Sequence, residues 1–549
     1  MNSRSLMLSV GARFVRVLTA ARTRAGEFPG RNQTLSFLGP EPTGEAAATF
    51  HVREKRKLSA RLREFFVYSP ALGRTVGVRV LLPGRPSEVA DVIYLFHGGG
   101  DDFRSWTDLG AAEQLTADSP YLVVMPDAGA ASYSRHTIGG GERTETTLDW
   151  PTFHTAELPA FIADRYSVNP ERSGALLAGL SMGGYGAMKY AAQHPDRYCA
   201  AAAFSSPLDP LSAVPLFDII ALREGGAAKS LFGDPKRDLA EWQANSPMSL
   251  APNLAGTDLW FTAGSGTPHA DDEDEDHVDV LEATVNQHGL KFHERLTALG
   301  IDHTWSPRAT GLHNWFAWQR ELAEWLAALD DPSRRGTSAA GGGLPGLRDE
   351  QPVAAGARGV HDGAAFTYVT GEPVFAVHGW DVAISRRRAQ LVTFAEVTPA
   401  SFTLNGAGTF RVRTPALYHP GQRYRIAISS PLAENVYDLA ADADGRLELT
   451  GRMAGALHDP IVPGKRTRHF RTWGQDALTT VSITPLDSPE DAMGADAAAG
   501  TGSGMGTGSR SGAEALSGPV SAERSADGPS SAAADPSTSA PGPEPRRAR

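Results

Sequence analysis

The chain has 549 residues, 41% of them hydrophobic, and a formal net charge of −11. This length allows two or three domains with a sizeable core, and the negative charge argues against nucleic acid as a partner. The one cysteine, Cys199, excludes an intrachain disulfide, and its apolar neighbours favour a packing role over a nucleophilic one.

Residues 1–57 are predicted to form an N-terminal leader without order, because they show neither helical nor strand periodicity. Its first 26 residues contain five arginines and no acid. Arg13 and Arg16 interrupt the apolar stretch Leu6–Ala12, unlike a secretory signal. No apolar run approaches the roughly 18 residues that span a bilayer. A cytoplasmic location is therefore the default expectation, and only the basic charge suggests contact with a membrane surface.

Residues 58–330 are predicted to form an α/β catalytic domain. An opening hairpin over 62–68 and 75–82 precedes short apolar runs that alternate with helical patterns. Such buried runs indicate a mostly parallel sheet with helices on both faces. The predicted strands are Val92–His97, Leu122–Pro126, Gly174–Gly179, Ala200–Ser205 and Leu259–Ala263, and the last predicted helix is His313–Leu329.

The rest of the chain changes character after residue 330. Residues 331–363 are rich in Gly, Ala, Arg and Pro and indicate a linker. Residues 364–486 contain short alternating segments typical of a small antiparallel β domain, in which Trp380 and Trp473 are expected in the core rather than as sugar-stacking residues. Residues 487–549 are dominated by Gly, Ala, Ser, Pro and Asp and predict a disordered tail.

The most informative segment is Gly179-Leu180-Ser181-Met182-Gly183, which lies between a predicted strand and a predicted helix. G-x-S-x-G in this setting is typical of a nucleophile elbow, in which a sharp turn exposes the serine hydroxyl. Side chains two positions away would collide with the neighbouring strand or helix, so glycine is expected there. The pattern predicts that Ser181 is a nucleophile.

A serine nucleophile needs a base and an acid that orients the base. His313 lies in a glycine-containing loop before the last predicted helix, where this fold places its histidine. The residues alone leave the acid open. After the strand Leu259–Ala263 the chain offers an acidic run over 271–276, which is mostly a solvated face, and then Asp279 and Glu282.

The negatively charged intermediate of acyl transfer needs two backbone N–H donors. Met182 supplies one of them because it follows the nucleophile directly. The segment His97-Gly98-Gly99-Gly100 follows a predicted strand and is similar to the HGGG loop of esterases and lipases, which supplies the second donor.

These segments together resemble the esterase superfamily of α/β-hydrolases, which contains the antigen 85 mycolyltransferases, S-formylglutathione hydrolase and the enterochelin and feruloyl esterases. The resemblance covers roughly residues 60–330 and includes the elbow, Val123-Val124-Met125-Pro126-Asp127, Asp149-Trp150-Pro151 and Gly264-Ser265-Gly266. It implies an α/β-hydrolase fold, and it makes export an alternative location. No counterpart of the β domain is identified in this superfamily.

The resemblance also implies roles for individual residues. In the antigen 85 pattern the acid is a helical glutamate eight residues before a Leu-Lys-Phe-like strand start, which here gives Glu282, with Asp276 and Asp279 as fallbacks. By position, Gly99 gives the second oxyanion N–H. The substrate-binding positions are expected at His97, Gly98, Gly100 and Trp106, although the mycolyltransferases carry Asp-Gly-Leu-Arg in this loop.

Three functions are compatible with this sequence. The leading hypothesis is a serine carboxylic-ester hydrolase that forms an acyl-enzyme on a small-molecule or glycoconjugate ester, without metal or cofactor. The first alternative is an acyltransferase of mycolyltransferase type, which passes the same acyl group to a sugar or alcohol hydroxyl. The second is a non-catalytic binding protein on a hydrolase scaffold.

Overall fold

The structure is a computed structural model, which describes residues 38–39, 41–140, 143–269, 278–330, 365–387, 389–430, 433–454 and 478–486. The predicted linker, the predicted tail, most of the predicted leader and Trp473 lie outside the described residues. None of the helices within the described ranges is long and apolar enough to cross a membrane.

A nine-stranded sheet organises the first part of the chain, in the order β1-β2-β3-β5-β4-β8-β9-β10-β11. The first three strands pair antiparallel, β3 pairs antiparallel with β5, and the six strands from β5 onward are parallel. The strands are β1 His51–Lys57, β2 Leu62–Ser69, β3 Arg74–Leu81, β4 Val92–Phe96, β5 Leu122–Pro126, β8 Ala175–Leu180, β9 Ala200–Phe204, β10 Asp258–Ala263 and β11 Thr304–Pro307.

Helices cover this sheet because its parallel strands are apolar on both sides. Strand β5, for example, is buried at every position. The α-helices are α1 Ser105–Asp108, α2 Ala112–Leu115, α3 Trp150–Thr152, α4 Leu158–Arg165, α5 Met182–Gln193, α6 Val214–Arg223, α7 Leu239–Ala244, α8 Pro247–Leu250, α9 Val280–Ala298 and α10 Trp315–Asp330. Two apolar clusters form the core of this part, and one of them contains the inner face of α10, with Trp318, Leu322 and Trp325. The predicted α/β class is confirmed.

Two local predictions are wrong, and one element was not predicted. Residues 51–57, assigned to an unstructured leader, form the edge strand β1, whose polar sequence gains its order from pairing with β2. Residues 290–292, taken as a strand start, lie inside α9, where Phe292 is buried against Phe261. A two-stranded hairpin of β6 Arg135–Gly140 and β7 Arg143–Asp149 was not predicted.

The C-terminal part contains two antiparallel sheets, with six strands in the order β12-β15-β16-β21-β18-β19 and four in the order β13-β14-β17-β20. Aromatic side chains from both sheets share one core, in which Trp380 lies 5.7 Å from Phe394, as expected for a packing role. The strands are β12 Phe366–Thr370, β13 Val374–Val377, β14 Trp380–Ser385, β15 Val392–Val397, β16 Ser401–Asn405, β17 Ala407–Arg413, β18 Arg423–Ser430, β19 Ala433–Ala440, β20 Glu448–Ala454 and β21 Thr479–Pro485.

Buried hydrogen bonds join the two parts. The Asn253 amide oxygen accepts from the Val369 N–H at 2.6 Å, and its NH2 group donates to the Val369 and Ala192 carbonyls at 2.8 Å each. The Tyr368 hydroxyl donates to the Gln193 carbonyl at 2.8 Å. Strand β12 is therefore attached to the end of the helix that follows the elbow.

Candidate active site

Ser181 occupies a strained turn between β8 and α5. Its backbone adopts φ 50° and ψ −120°, a conformation that residues other than glycine rarely take. A Cβ on Gly179 would lie 2.5 Å from the Gly183 carbonyl oxygen, and a Cβ on Gly183 would lie 2.5 Å from the Phe96 carbonyl oxygen. Only glycines allow this turn to approach β4, as the G-x-S-x-G pattern predicts.

The imidazole of His313 lies between Ser181 and Glu282. Its Nε2 is 2.9 Å from Ser181 Oγ, and its Nδ1 is 2.7 Å from a carboxylate oxygen of Glu282. The carboxylate can only accept, so Nδ1 donates to it and Nε2 is left to accept from the serine hydroxyl. The structure thus brings together three residues that lie far apart in the sequence.

Two glycines bring the His313 loop to the end of β10. A Cβ on Gly264 would lie 2.5 Å from the Gly311 carbonyl oxygen, so the two backbones pass each other at a distance that no larger residue allows. Gly311 itself has φ 133°. The Trp318 ring, on the first turns of α10, packs edge-on against His313 at 5.0 Å between ring centroids.

Glu282 is fully buried on the first turn of α9, and both its oxygens accept hydrogen bonds. One oxygen accepts from His313. The other accepts from the Ser205 hydroxyl at 2.8 Å and from the Gly264 N–H at 2.5 Å. Ser205 was not predicted to contribute, although its position at the end of the predicted strand Ala200–Ser205 was a usable signal.

Asp279 does not contact the imidazole, although it was a fallback for the acid. One carboxylate oxygen caps α9 by accepting from the N–H groups of Leu281 and Glu282 at 2.9 and 3.0 Å. The other accepts from the backbone N–H of His313 at 2.8 Å. Asp279 therefore fixes the helix that carries Glu282 and the loop that carries His313. Asp276 lies outside the described residues.

The glycine loop after β4 lies beside the elbow. A Cβ on Gly98 would lie 3.4 Å from that of Ser181, and a Cβ on Gly99 would lie 3.5 Å from Met182 Cγ. Gly100 has φ 108°, which favours glycine. The N–H of Met182 belongs to the first turn of α5, where backbone N–H groups have no partner within the helix.

The structure places His97 and Trp106 away from any open surface, contrary to their predicted role in substrate binding. Each side chain is 1% exposed. The His97 ring bonds the Gly98 carbonyl and accepts from the Ala128 N–H, both at 2.9 Å, and the Trp106 indole donates to the Phe96 carbonyl at 2.9 Å. Both side chains therefore contact backbone carbonyls at the start of the glycine loop and stabilise its conformation.

The surroundings of His313 act on its basicity in opposite directions. Burial lowers the pKa of His313, but the hydrogen bond and charge of Glu282, together with the charges of Asp279 and Asp101, outweigh burial and leave the pKa above its ordinary value of 6.5. A ring of this basicity, 2.9 Å from a hydroxyl, can take the hydroxyl proton as the oxygen attacks a carbonyl carbon.

The described residues contain neither a metal-binding cluster nor a reactive thiol. No cluster of three or more His, Cys, Asp or Glu with metal-binding geometry occurs among them. The Cys199 thiol donates to the Ser173 carbonyl at 3.2 Å, and burial raises its pKa to about 11. The thiol is therefore protonated at neutral pH, as expected for a packing role.

Comparisons with known proteins match this chain to esterases and acyltransferases. The Esterase family model matches residues 69–329. The esterase Rv1288 of Mycobacterium tuberculosis is 32% identical over 263 residues, which cover 46% of this chain and 55% of that protein. The diacylglycerol acyltransferase/mycolyltransferase Ag85B of Mycobacterium avium is 31% identical over 287 residues, which cover 50% of this chain and 84% of that protein.

A solved structure, Mycobacterium tuberculosis MPT51, is 25% identical and covers 49% of this chain and 98% of its own, with a TM-score of 0.41. The chain spans about half the length of the first curated relatives that it matches. The match to Ag85B, in contrast, extends over most of that relative. The family model and the match to Ag85B show that the chain belongs to the esterase family of α/β-hydrolases that includes the antigen 85 mycolyltransferases.

Proposed function

We propose that this protein is a serine carboxylic-ester hydrolase that works through an acyl-enzyme. The observation that carries the proposal is the single imidazole of His313, within hydrogen-bond distance of both Ser181 Oγ and the buried carboxylate of Glu282. This is the arrangement that activates a serine hydroxyl on several unrelated folds.

In the proposed mechanism, Ser181 Oγ attacks the ester carbonyl carbon while His313 Nε2 takes the hydroxyl proton. The backbone N–H groups of Gly99 and Met182 stabilise the negative oxygen of the tetrahedral intermediate. His313 then gives its proton to the leaving alcohol, and Glu282 stabilises the transient imidazolium. A water molecule, deprotonated by His313, releases the acid and restores Ser181.

The second candidate is transfer of the acyl group to a sugar or alcohol hydroxyl. The similarity to a diacylglycerol acyltransferase/mycolyltransferase over 84% of that relative favours it. Both reactions share the acyl-enzyme and differ only in the acceptor. For either reaction, we propose a small-molecule or glycoconjugate ester as the acyl donor. Product analysis by mass spectrometry, with and without added trehalose or glucose, separates hydrolysis from transfer.

The test of the shared step is covalent labelling with a fluorophosphonate probe, combined with hydrolysis of p-nitrophenyl esters from acetate to palmitate. The wild-type protein is expected to take the label and hydrolyse at least one ester. Ser181→Ala should abolish both, whereas the exposed control Ser87→Ala should change neither. A folded wild-type protein that takes no label and cleaves no ester would favour the non-catalytic binding protein.

A further inference from the structure

The C-terminal part contains an open, shallow cavity of about 700 Å³ on the outer face of the four-stranded sheet. Alternate residues of a strand point to opposite faces, and the inner residues of these strands fill the core. The outward residues Ser385, Thr409, Arg411, Thr450 and Arg452 line the cavity, together with Val374 and Ala383. Its size lies within the range of small-molecule sites, roughly 300–1,000 Å³.

A side wall makes this face concave. Asn435 of β19, which belongs to the other sheet, also lines the cavity. The Tyr437 hydroxyl holds β19 against β20, since it lies 3.2 Å from both the N–H and the carbonyl oxygen of Thr450. Glu434, next to Asn435, points to the opposite face because side chains alternate along the strand. The wall therefore contributes an amide rather than a carboxylate.

The cross-strand register separates the charges of this face. Directly paired residues of β14, β17 and β20 form rows across the sheet. In one row, Arg413 stands between Asp381 and Glu448. The Arg413 guanidinium also lies 3.6 Å from the Asp442 carboxylate. The next two rows contain no acid. Arg411 stands between Ala383 and Thr450, and Thr409 stands between Ser385 and Arg452.

Arg411 and Arg452 are therefore diagonal neighbours across two strands, at a spacing where side chains interact. Both are exposed, and neither takes part in an ion pair within the described ranges of the chain. Two adjacent positive charges repel each other, and an anion between them would remove this repulsion. Guanidinium groups bind carboxylate and phosphate oxygens through two parallel hydrogen bonds.

We infer that this cavity binds an acidic sugar, that is, a sugar or oligosaccharide that carries carboxylate or phosphate groups. The two arginines take the anionic group, while Ser385, Thr409, Thr450 and Asn435 supply short hydroxyl and amide groups for ring hydroxyls. Val374, 69% exposed, gives an apolar edge for the sugar C–H groups. This site lies on a different sheet from Ser181 and does not depend on the proposed ester chemistry.

The test is isothermal titration calorimetry of the full-length protein in low-salt buffer. The ligands are tetragalacturonate, glucose 6-phosphate, neutral maltotetraose and inorganic phosphate. At least one acidic sugar is expected to bind at least tenfold more tightly than maltotetraose and inorganic phosphate, and its affinity should fall as sodium chloride is raised.

Variants assign the binding to the cavity. Arg411→Gln with Arg452→Gln should weaken the acidic sugar at least tenfold. Arg425→Gln with Arg423→Gln is the matched control, because it removes the same charge from arginines that pair with Asp438. The control should bind within twofold of wild type. Asn435→Leu keeps both arginines but removes the amide group. It should therefore weaken the binding of the acidic sugar and leave the affinity for inorganic phosphate unchanged. Thermal melting and p-nitrophenyl ester hydrolysis should stay unchanged in all three.

Several results would overturn the inference. They are equal binding of maltotetraose, equal loss of affinity in the control, and phosphate binding as tight as that of the sugars, which would indicate a simple ion site. Absence of binding to both acidic sugars would do the same. So would arginine-dependent binding to phosphatidylglycerol vesicles without sugar binding, because the surface would then serve a membrane.

Discussion

Glu282→Gln is the sharpest test of the proposed mechanism, because the structure dictates how the new amide would lie. The glutamine has one accepting oxygen and one donating NH2 group. The backbone N–H of Gly264 points at one carboxylate oxygen from 2.5 Å and can only donate. The amide oxygen must therefore take that position, and the NH2 group must face His313 Nδ1.

This orientation reverses the proton on the imidazole. His313 Nδ1 must accept from the amide, so the neutral ring carries its proton on Nε2. Nε2 then cannot accept the proton of Ser181 Oγ, 2.9 Å away. The corresponding change of tautomer in a serine protease costs about 10⁴-fold in kcat. We expect a loss of about that size, which corresponds to about 5.4 kcal/mol in the activation free energy.

The assay is steady-state hydrolysis of the best p-nitrophenyl ester, with thermal melting as a measure of folding. The control is Ser205→Ala, which removes one donor to Glu282 but leaves the bonds to Gly264 and His313 in place, and its kcat should stay within about tenfold of wild type. A folded Glu282→Gln protein that keeps more than about a tenth of the wild-type kcat would refute the tautomer argument.

Three further outcomes are expected. His313 must be neutral to act as a base, and its pKa lies above its ordinary value of 6.5. The value of kcat/KM should therefore fall as the pH decreases, with a midpoint above 6.5. A midpoint well below 6.5 would contradict this expectation. Gly183→Ala, whose Cβ would meet the Phe96 carbonyl oxygen at 2.5 Å, should lose most fluorophosphonate labelling, and normal labelling would show that the turn relaxes. Asn253→Ala removes the partners of the buried N–H and carbonyl of Val369. The free energy of unfolding, measured by urea denaturation, should therefore fall by about 3 kcal/mol. A fall of less than about 0.5 kcal/mol would contradict the proposed importance of this contact.

The residues that the structure brings together were largely predictable from local sequence context. Ser181 needed only its glycines and the strand and helix around it, and His313 needed only its place before the last helix. Glu282 could not be chosen from the residues alone, because the chain offers many acids between 271 and 282. The resemblance to the antigen 85 pattern singled it out, and the structure explains why Asp279 differs: its side chain caps the helix instead of facing the ring.

The predictions that failed depend on tertiary contacts that no local pattern contains. Strand β1 has the sequence His-Val-Arg-Glu-Lys-Arg-Lys, which lacks an alternating apolar face, and it is ordered by backbone pairing with β2. Trp106 is a side chain that can either stack on a ligand or fill a core. Its burial against Trp315 and Phe204 depends on elements about 100 residues or more away in sequence.

The edge of the parallel sheet explains how distant segments meet in one site. Phe96 of β4 is paired with Gly179 of β8, and Leu180 of β8 is paired with Phe204 of β9. The glycine loop, Ser181 and Ser205 each follow directly after these rows, because parallel strands end at the same edge. The backbone N–H of Ser181 donates to the Phe204 carbonyl at 2.7 Å, so the pairing of β8 with β9 continues into the strained turn. The position of the nucleophile is therefore set by sheet register, and the loops add the groups that act on it.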